Sequence, residues 1–129
     1  MDPKKVLVID DSTLIHKMFK LILPRTTQVD AFDGRQALDC LAENPDIDLI
    51  LLDINMPQMN GFEFLERLRA DAAFANIPVI IVSTEGKDED TIRGLEAGAT
   101  AYIRKPFRNE AAADLIRQVI ARSGGQTVC

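Results

Sequence analysis

The 129-residue chain has no tryptophan, one tyrosine and one histidine, and aromatic residues make up only 5% of it. Any core it buries must therefore be aliphatic. Cysteine is equally scarce: Cys40 and Cys129 lie far apart, with no CxxC or metal-ligand spacing. This excludes a disulfide framework and a thiolate metal site, and reads as two free thiols in a reducing compartment. No apolar run approaches the roughly 18 residues of a membrane span. The start, "MDPKKVLVIDD", lacks the apolar stretch and small-residue cleavage site of a signal peptide. No membrane insertion is expected, and the expected location is cytoplasmic. Basic residues are the minority, 15 against 20 acidic ones, for a net charge of −5. That balance argues against a sequence-independent binder of nucleic acid or of acidic membranes.

What is present has the composition of a soluble globular protein, 47% hydrophobic and 27% charged, in a length that suits one domain. Short β-branched or Leu-rich runs, "KVLVID", "TQVDAF", "DLILLD", "PVIIVS" and "AYIRK", alternate with the helical patterns "STLIHKMFKLIL", "GRQALDCLAEN", "FEFLERLRAD", "KDEDTIRGLEAG" and "NEAAADLIRQVIARS". The alternation predicts an α/β fold with a five-stranded parallel sheet, and the nearly all-apolar strands predict helices on both of its faces. Ser12 or Asp11 is the expected cap of the first helix, whose buried face is Ile15, Met18, Phe19 and Ile22. His16 falls with Lys17 and Lys20 on the polar side and is read as a solvated surface residue. The fourth helical pattern is polar and marginal. The domain is assigned to residues 1–123, and "GGQTVC", residues 124–129, is expected to be a flexible C-terminal tail.

In a parallel α/β sheet, ligands gather outside the carboxyl ends of the strands. The first predicted strand ends on Asp10 and Asp11, the third on Asp53, the fourth on Ser83 and Thr84, and the fifth on Lys105. Aligned strands bring these residues to one edge. Each has a plainer reading alone: Asp caps helices and favours turns, a serine can start a loop, and a lysine can be a solvated charge. The set is more specific than its members. Three carboxylates repel one another unless a cation sits among them, and a hard ion such as Mg²⁺ suits oxygen ligands, with no His or Cys to suggest zinc. A phosphoryl group uses both the metal and the opposite charge. An Asp carboxylate can attack phosphorus, while Mg²⁺, the Ser83 hydroxyl and the Lys105 ammonium neutralise the transferring oxygens.

The segments "VLVIDDS", "DLILLDINMPQMNGFEFLERLR", "PVIIVST" and "GATAYIRKPF" resemble the receiver domain of two-component response regulators, of the chemotaxis type, from Lys5 to about Arg122. The resemblance implies a flavodoxin-like (βα)5 fold of strand order 2-1-3-4-5, an order that a chemotaxis receiver already exemplifies. It implies Asp53 as phosphoacceptor, Asp10 and Asp11 as the acidic pair for Mg²⁺, and the Asn55 backbone carbonyl as a further metal ligand. It also implies Ser83 as the switch hydroxyl, Lys105 as the phosphate-contacting lysine, Tyr102 as the aromatic that turns inward, and a cis peptide between Lys105 and Pro106. Asn55 and Glu85 stand where side chains tune dephosphorylation and imply a short-lived phosphate. The implied donor is a sensor histidine kinase or His-phosphotransfer protein, and the implied output is a downstream protein partner, met on a face of the fourth helix, fifth strand and fifth helix.

Such a module catalyses only its own phosphorylation and dephosphorylation. An Asp-nucleophile phosphatase needs a second acid where Asn55 stands, and a P-loop or flavin cradle wants Gly, Ser and Thr where "DDSTLIHK" offers acids. Two alternatives stay open: an interaction module that works without phosphate, and the N-terminal receiver of a longer regulator. No DNA-binding motif is present, and the chain is expected to be a monomer or a phosphorylation-dependent dimer.

Overall fold

The computed structural model describes residues 2–54, 61–83, 93–96 and 98–128, the last six of these as backbone only. In chain order the elements are β1 (Lys5–Ile9), α1 (Thr13–Ile22), β2 (Thr27–Ala31), α2 (Gly34–Glu43), β3 (Leu49–Leu52), α3 (Gly61–Ala70), β4 (Val79–Ser83), a helical turn α4 at residues 93–96, β5 (Ala101–Arg104) and α5 (Asn109–Val128). The strands form one parallel sheet in the order β2-β1-β3-β4-β5.

Alternation of side chains along each strand divides the core in two. Leu7, Ile9, Ile50, Leu52, Val79 and Ile81 point to one face, where Ala37 and Leu41 of α2 and Phe62, Leu65 and Leu68 of α3 cover them. Val6, Val8, Leu49, Leu51, Ile80 and Val82 point to the other, against Ile15, Phe19 and Ile22 of α1 and Ile116, Val119 and Ile120 of α5. With both faces covered, β3 and β4 are buried at every position, which is why they read as apolar runs with only Ser83 at the end of β4 polar. A one-residue slip of a strand would move every one of its side chains to the opposite core, where the covering helices are packed for others. The strand ends are therefore fixed relative to one another.

Two expectations need correction. His16 is buried, because α1 presents a stripe that includes Ile15, His16, Phe19 and Ile22 rather than a narrower apolar one. The N-cap position of α1 is Ser12, yet its side chain makes no capping hydrogen bond; the Ser12 N–H donates to Asp10 Oδ1 at 2.8 Å, and Asp11 stays exposed. α5 runs through Gly124 and Gly125 to Val128. Glycine weakens a helix by about 1 kcal/mol but does not block its hydrogen bonds as proline does. At the start of α2 a side chain does cap the helix, where Asp33 accepts from the Gln36 N–H at 2.8 Å.

Candidate functional site

The chain leaves the ladder one residue before each acid. Asp10 and Asp53 are the first residues past β1 and β3, and their backbone N–H groups still donate across the sheet, Asp10 to the Ala31 carbonyl at 3.1 Å and Asp53 to the Ile9 carbonyl at 2.9 Å. Their backbones are held like strand residues while their side chains face the open edge. One oxygen each from Asp10, Asp11 and Asp53 can be chosen so that all lie within 4.8 Å of one another. Asp10 is only 1% exposed and Asp53 6%, whereas Asp11 lies on the solvent side.

The cation reaches this cluster from the far side of the sheet. β5 pairs with β4 so that Arg104 lies opposite Ser83, and the Lys105 N–H donates to the Ser83 carbonyl at 2.9 Å. From there the Lys105 ammonium donates to Asp10 Oδ2 at 2.7 Å and stands 3.9 Å from Asp53 Oδ2. Ser83, fully buried, ends the strand between them. The Lys105–Pro106 peptide is cis. One ammonium against three carboxylates leaves an excess of two negative charges, and the donors are all hard oxygens. Both features suit a divalent, oxygen-seeking ion such as Mg²⁺. Tyr102 sits back from this cluster, half-buried on β5 and packed against the α2–α3 face. Asn55, Thr84 and Glu85 lie outside the described residues.

Two contributors escaped the sequence reading. Gly61, the first residue of α3, donates its N–H to the Ile54 carbonyl at 2.8 Å, and a Cβ there would stand 2.7 Å from both the Asp53 carbonyl oxygen and Ile54 Cα. These are backbone atoms, which cannot swing aside. Gly61→Ala should therefore cost about 1–3 kcal/mol, as overpacking does, by pushing α3 away from the acid-bearing strand end. Chemical denaturation checks this, and parent-like stability would mean that the close approach carries no constraint. A glycine eight residues after the acid was visible in the sequence, but its contact with the Asp53 backbone was not.

The second is His16. Its Nε2 lies 2.8 Å from the Asp10 backbone carbonyl and its Nδ1 2.7 Å from Asp30 Oδ1. Burial pushes the Asp30 carboxyl up, but hydrogen bonds from Gln28 and His16, with the charges of His16 and Lys20, outweigh it and hold the group below its ordinary value. A carboxyl lowered by folding stabilises the protein above its unfolded value of 3.8, and that contribution is lost as pH falls through the folded value. Urea midpoints taken from pH 5 downward should thus fall more steeply in the parent than in Asp30→Asn; equal slopes would contradict the assignment. Cys40, not in a disulfide, is chemically quiet, since burial and the nearby Glu43 and Asp39 carboxylates push its thiol up.

Residues 6–117 match the family model of the response regulator receiver domain. Over 125 residues the chain is 34% identical to a chemotaxis protein CheY homolog of Campylobacter jejuni, spanning 95% of this chain and 96% of that one. Among solved structures, chemotaxis protein CheY4 of Vibrio cholerae superposes with a TM-score of 0.82 at 34% identity, covering 89% of this chain and 97% of that one. The Mn²⁺-bound form of response regulator Rcp1 superposes with a TM-score of 0.76 at 25% identity, covering 91% of each chain.

Proposed function

The chain belongs to the response regulator receiver domains, and from that premise we propose that it is a phosphoacceptor switch in which Asp53 takes a phosphoryl group from a phosphohistidine. The observation that carries the reading is the Lys105 ammonium standing 2.7 Å from Asp10 and 3.9 Å from Asp53, at the edge of three converging carboxylates. Receiver domains are signalling switches rather than enzymes with external substrates, and the absence of a second acid at position 55 is consistent with that.

An Asp53 oxygen attacks phosphorus in line with the donor imidazole nitrogen. The new P–O bond forms as the P–N bond breaks, the electron pair returns to the imidazole, and an acyl phosphate remains on Asp53. Lys105 neutralises one phosphoryl oxygen and the Ser83 hydroxyl donates to another. Asp10, Asp11, Asp53 and the Asn55 carbonyl would hold Mg²⁺, which would supply charge neutralisation and orientation. That the response regulator Rcp1 was solved in a Mn²⁺-bound form supports a divalent ion as a ligand of this fold. Asn55 and Glu85 set how quickly water removes the phosphate, and a parent-like phosphate lifetime in Asn55→Ala would remove Asn55 from that role.

The donor is a sensor histidine kinase or His-phosphotransfer protein in the cytoplasm. Output leaves through α4, β5 and α5, as the phosphoryl group draws Ser83 inward and Tyr102 follows. What supports this face is a cleft of about 270 Å³ lined by Tyr102, Ile103, Arg104, Phe107, Arg108 and Leu115, directly behind the strand that carries Lys105. Intact-mass analysis with a small-molecule phosphodonor tests the reading, and one phosphoryl group should appear with Mg²⁺ and not with chelator. Under the same conditions amide exchange should change between residues 93 and 115. Uptake without any change there would remove the output face from the account.

A further inference from the structure

We propose that His16 is a positioning residue for metal binding, acting through the backbone of Asp10. The proposal rests on the reading of the acid cluster as a Mg²⁺ site. Every polar atom of Asp10 has a partner: its N–H donates to Ala31, its Oδ1 accepts from the Ser12 N–H, its Oδ2 accepts from Lys105, and its carbonyl lies 2.8 Å from His16 Nε2. A carbonyl only accepts, so Nε2 carries the hydrogen. Among the described residues, His16 thus provides the side-chain contact on the Asp10 carbonyl, and it does so from a ring that is 3% exposed.

The ring cannot turn. Nδ1 is held by Asp30 Oδ1 at 2.7 Å, and the Phe32 ring lies over it with centroids 4.4 Å apart. Asp30 is held in turn by Gln28 Nε2 at 2.8 Å, and the same amide donates to the His16 carbonyl at 2.8 Å. Lys20 stands 3.6 Å from the other Asp30 oxygen. The chain of contacts runs from the edge strand β2 through α1 to the acid that Lys105 grips. Without the Nε2–H donor the buried carbonyl must find another partner, and the peptide that aims the carboxylate rotates to do so. Groups that orient metal ligands in this way typically change affinity by about 10–100-fold when lost.

The test is calorimetric titration of Mg²⁺ into the unphosphorylated protein, for the parent, His16→Leu and His16→Gln, with a thermal melt of each. Gln places an amide N–H near the Nε2 position and keeps the donor toward Asp10, while Leu fills the space without one. The expected result is Mg²⁺ binding about tenfold weaker in His16→Leu and within about threefold of the parent in His16→Gln. A structural role alone would lower both melts and leave affinity unmoved. Parent-like affinity in His16→Leu, or equal weakening in both variants, would overturn the proposal. If His16→Leu does not fold, Asp30→Ala takes its place: it leaves His16 unanchored, weaker Mg²⁺ binding is expected, and parent-like affinity overturns the proposal. A parent that binds no Mg²⁺ overturns the metal-site reading itself.

Discussion

Asp53→Asn should take up no phosphoryl group from any donor, at any Mg²⁺ concentration, and should at the same time be more stable than the parent when divalent ions are absent. The first effect follows from chemistry, since an amide oxygen is too weak a nucleophile to displace imidazole from phosphorus. The second follows from charge. Asp53 lies within 4.8 Å of two other carboxylates and 3.9 Å from one ammonium. At an effective dielectric of about 20, two repulsions of about 3 kcal/mol each outweigh one attraction of about 4. Asp11 is exposed and screened, which trims the difference to a gain of about 1 kcal/mol. Divalent ion reverses the order. At a hundred times its dissociation constant Mg²⁺ adds about 2.7 kcal/mol to a protein that binds it, and the variant, with one ligand charge fewer, gains less. Denaturant midpoints with and without Mg²⁺ measure both halves of this expectation. A variant less stable than the parent in chelator would mean that Asp53 is held by its contacts more than it is strained by its neighbours.

Lys105→Met should damage both the fold and the chemistry, and the two losses should respond differently to metal. The ammonium lies 2.7 Å from an Asp10 carboxylate that is almost wholly out of solvent. Removing one partner of a buried ion pair costs about 3–5 kcal/mol, because the remaining charge is left without compensation. A divalent ion among the same carboxylates supplies that compensation, so the stability deficit should shrink as Mg²⁺ is added. The rate should not recover. Loss of a preorganised cation at a transferring phosphoryl group costs about 10²–10³ in rate, and a metal held by the acids does not stand where the Lys105 ammonium does. Phosphorylation followed by intact mass at saturating Mg²⁺, beside denaturation at the same concentrations, separates the two. Recovery of both would reduce Lys105 to a placeholder for the metal.

The parts of this fold that were legible in the sequence are those set by local pattern and chain reversal. β3 has no polar position and β4 has only Ser83 at its end, which announces two covered faces, and the acids after β1 and β3 stand where an apolar run stops. Parallel pairing then carries Asp10, Asp53, Ser83 and Lys105 to one edge. What escaped depends on contacts between elements distant along the chain. His16 looks solvent-facing beside Lys17 and Lys20, and only the approach of Asp30 from β2 gives its ring a buried partner. Gly61 reads as a turn residue until α3 is seen to start against the Asp53 backbone. Ser12 takes the N-cap position, but its side chain makes no capping hydrogen bond, and a helix end open to water can do without one.

The central claim is that the phosphoryl group resides on Asp53, and reductive trapping tests it most directly. Borohydride converts an acyl phosphate to an alcohol and leaves free carboxylates untouched, so peptide mass analysis after phosphorylation and reduction marks the residue that carried the phosphate. The account predicts homoserine at position 53 and nowhere else, only in samples that contained phosphodonor and Mg²⁺. Homoserine at position 10 or 11, or a phosphorylated protein in which no aspartate is reduced, would contradict it.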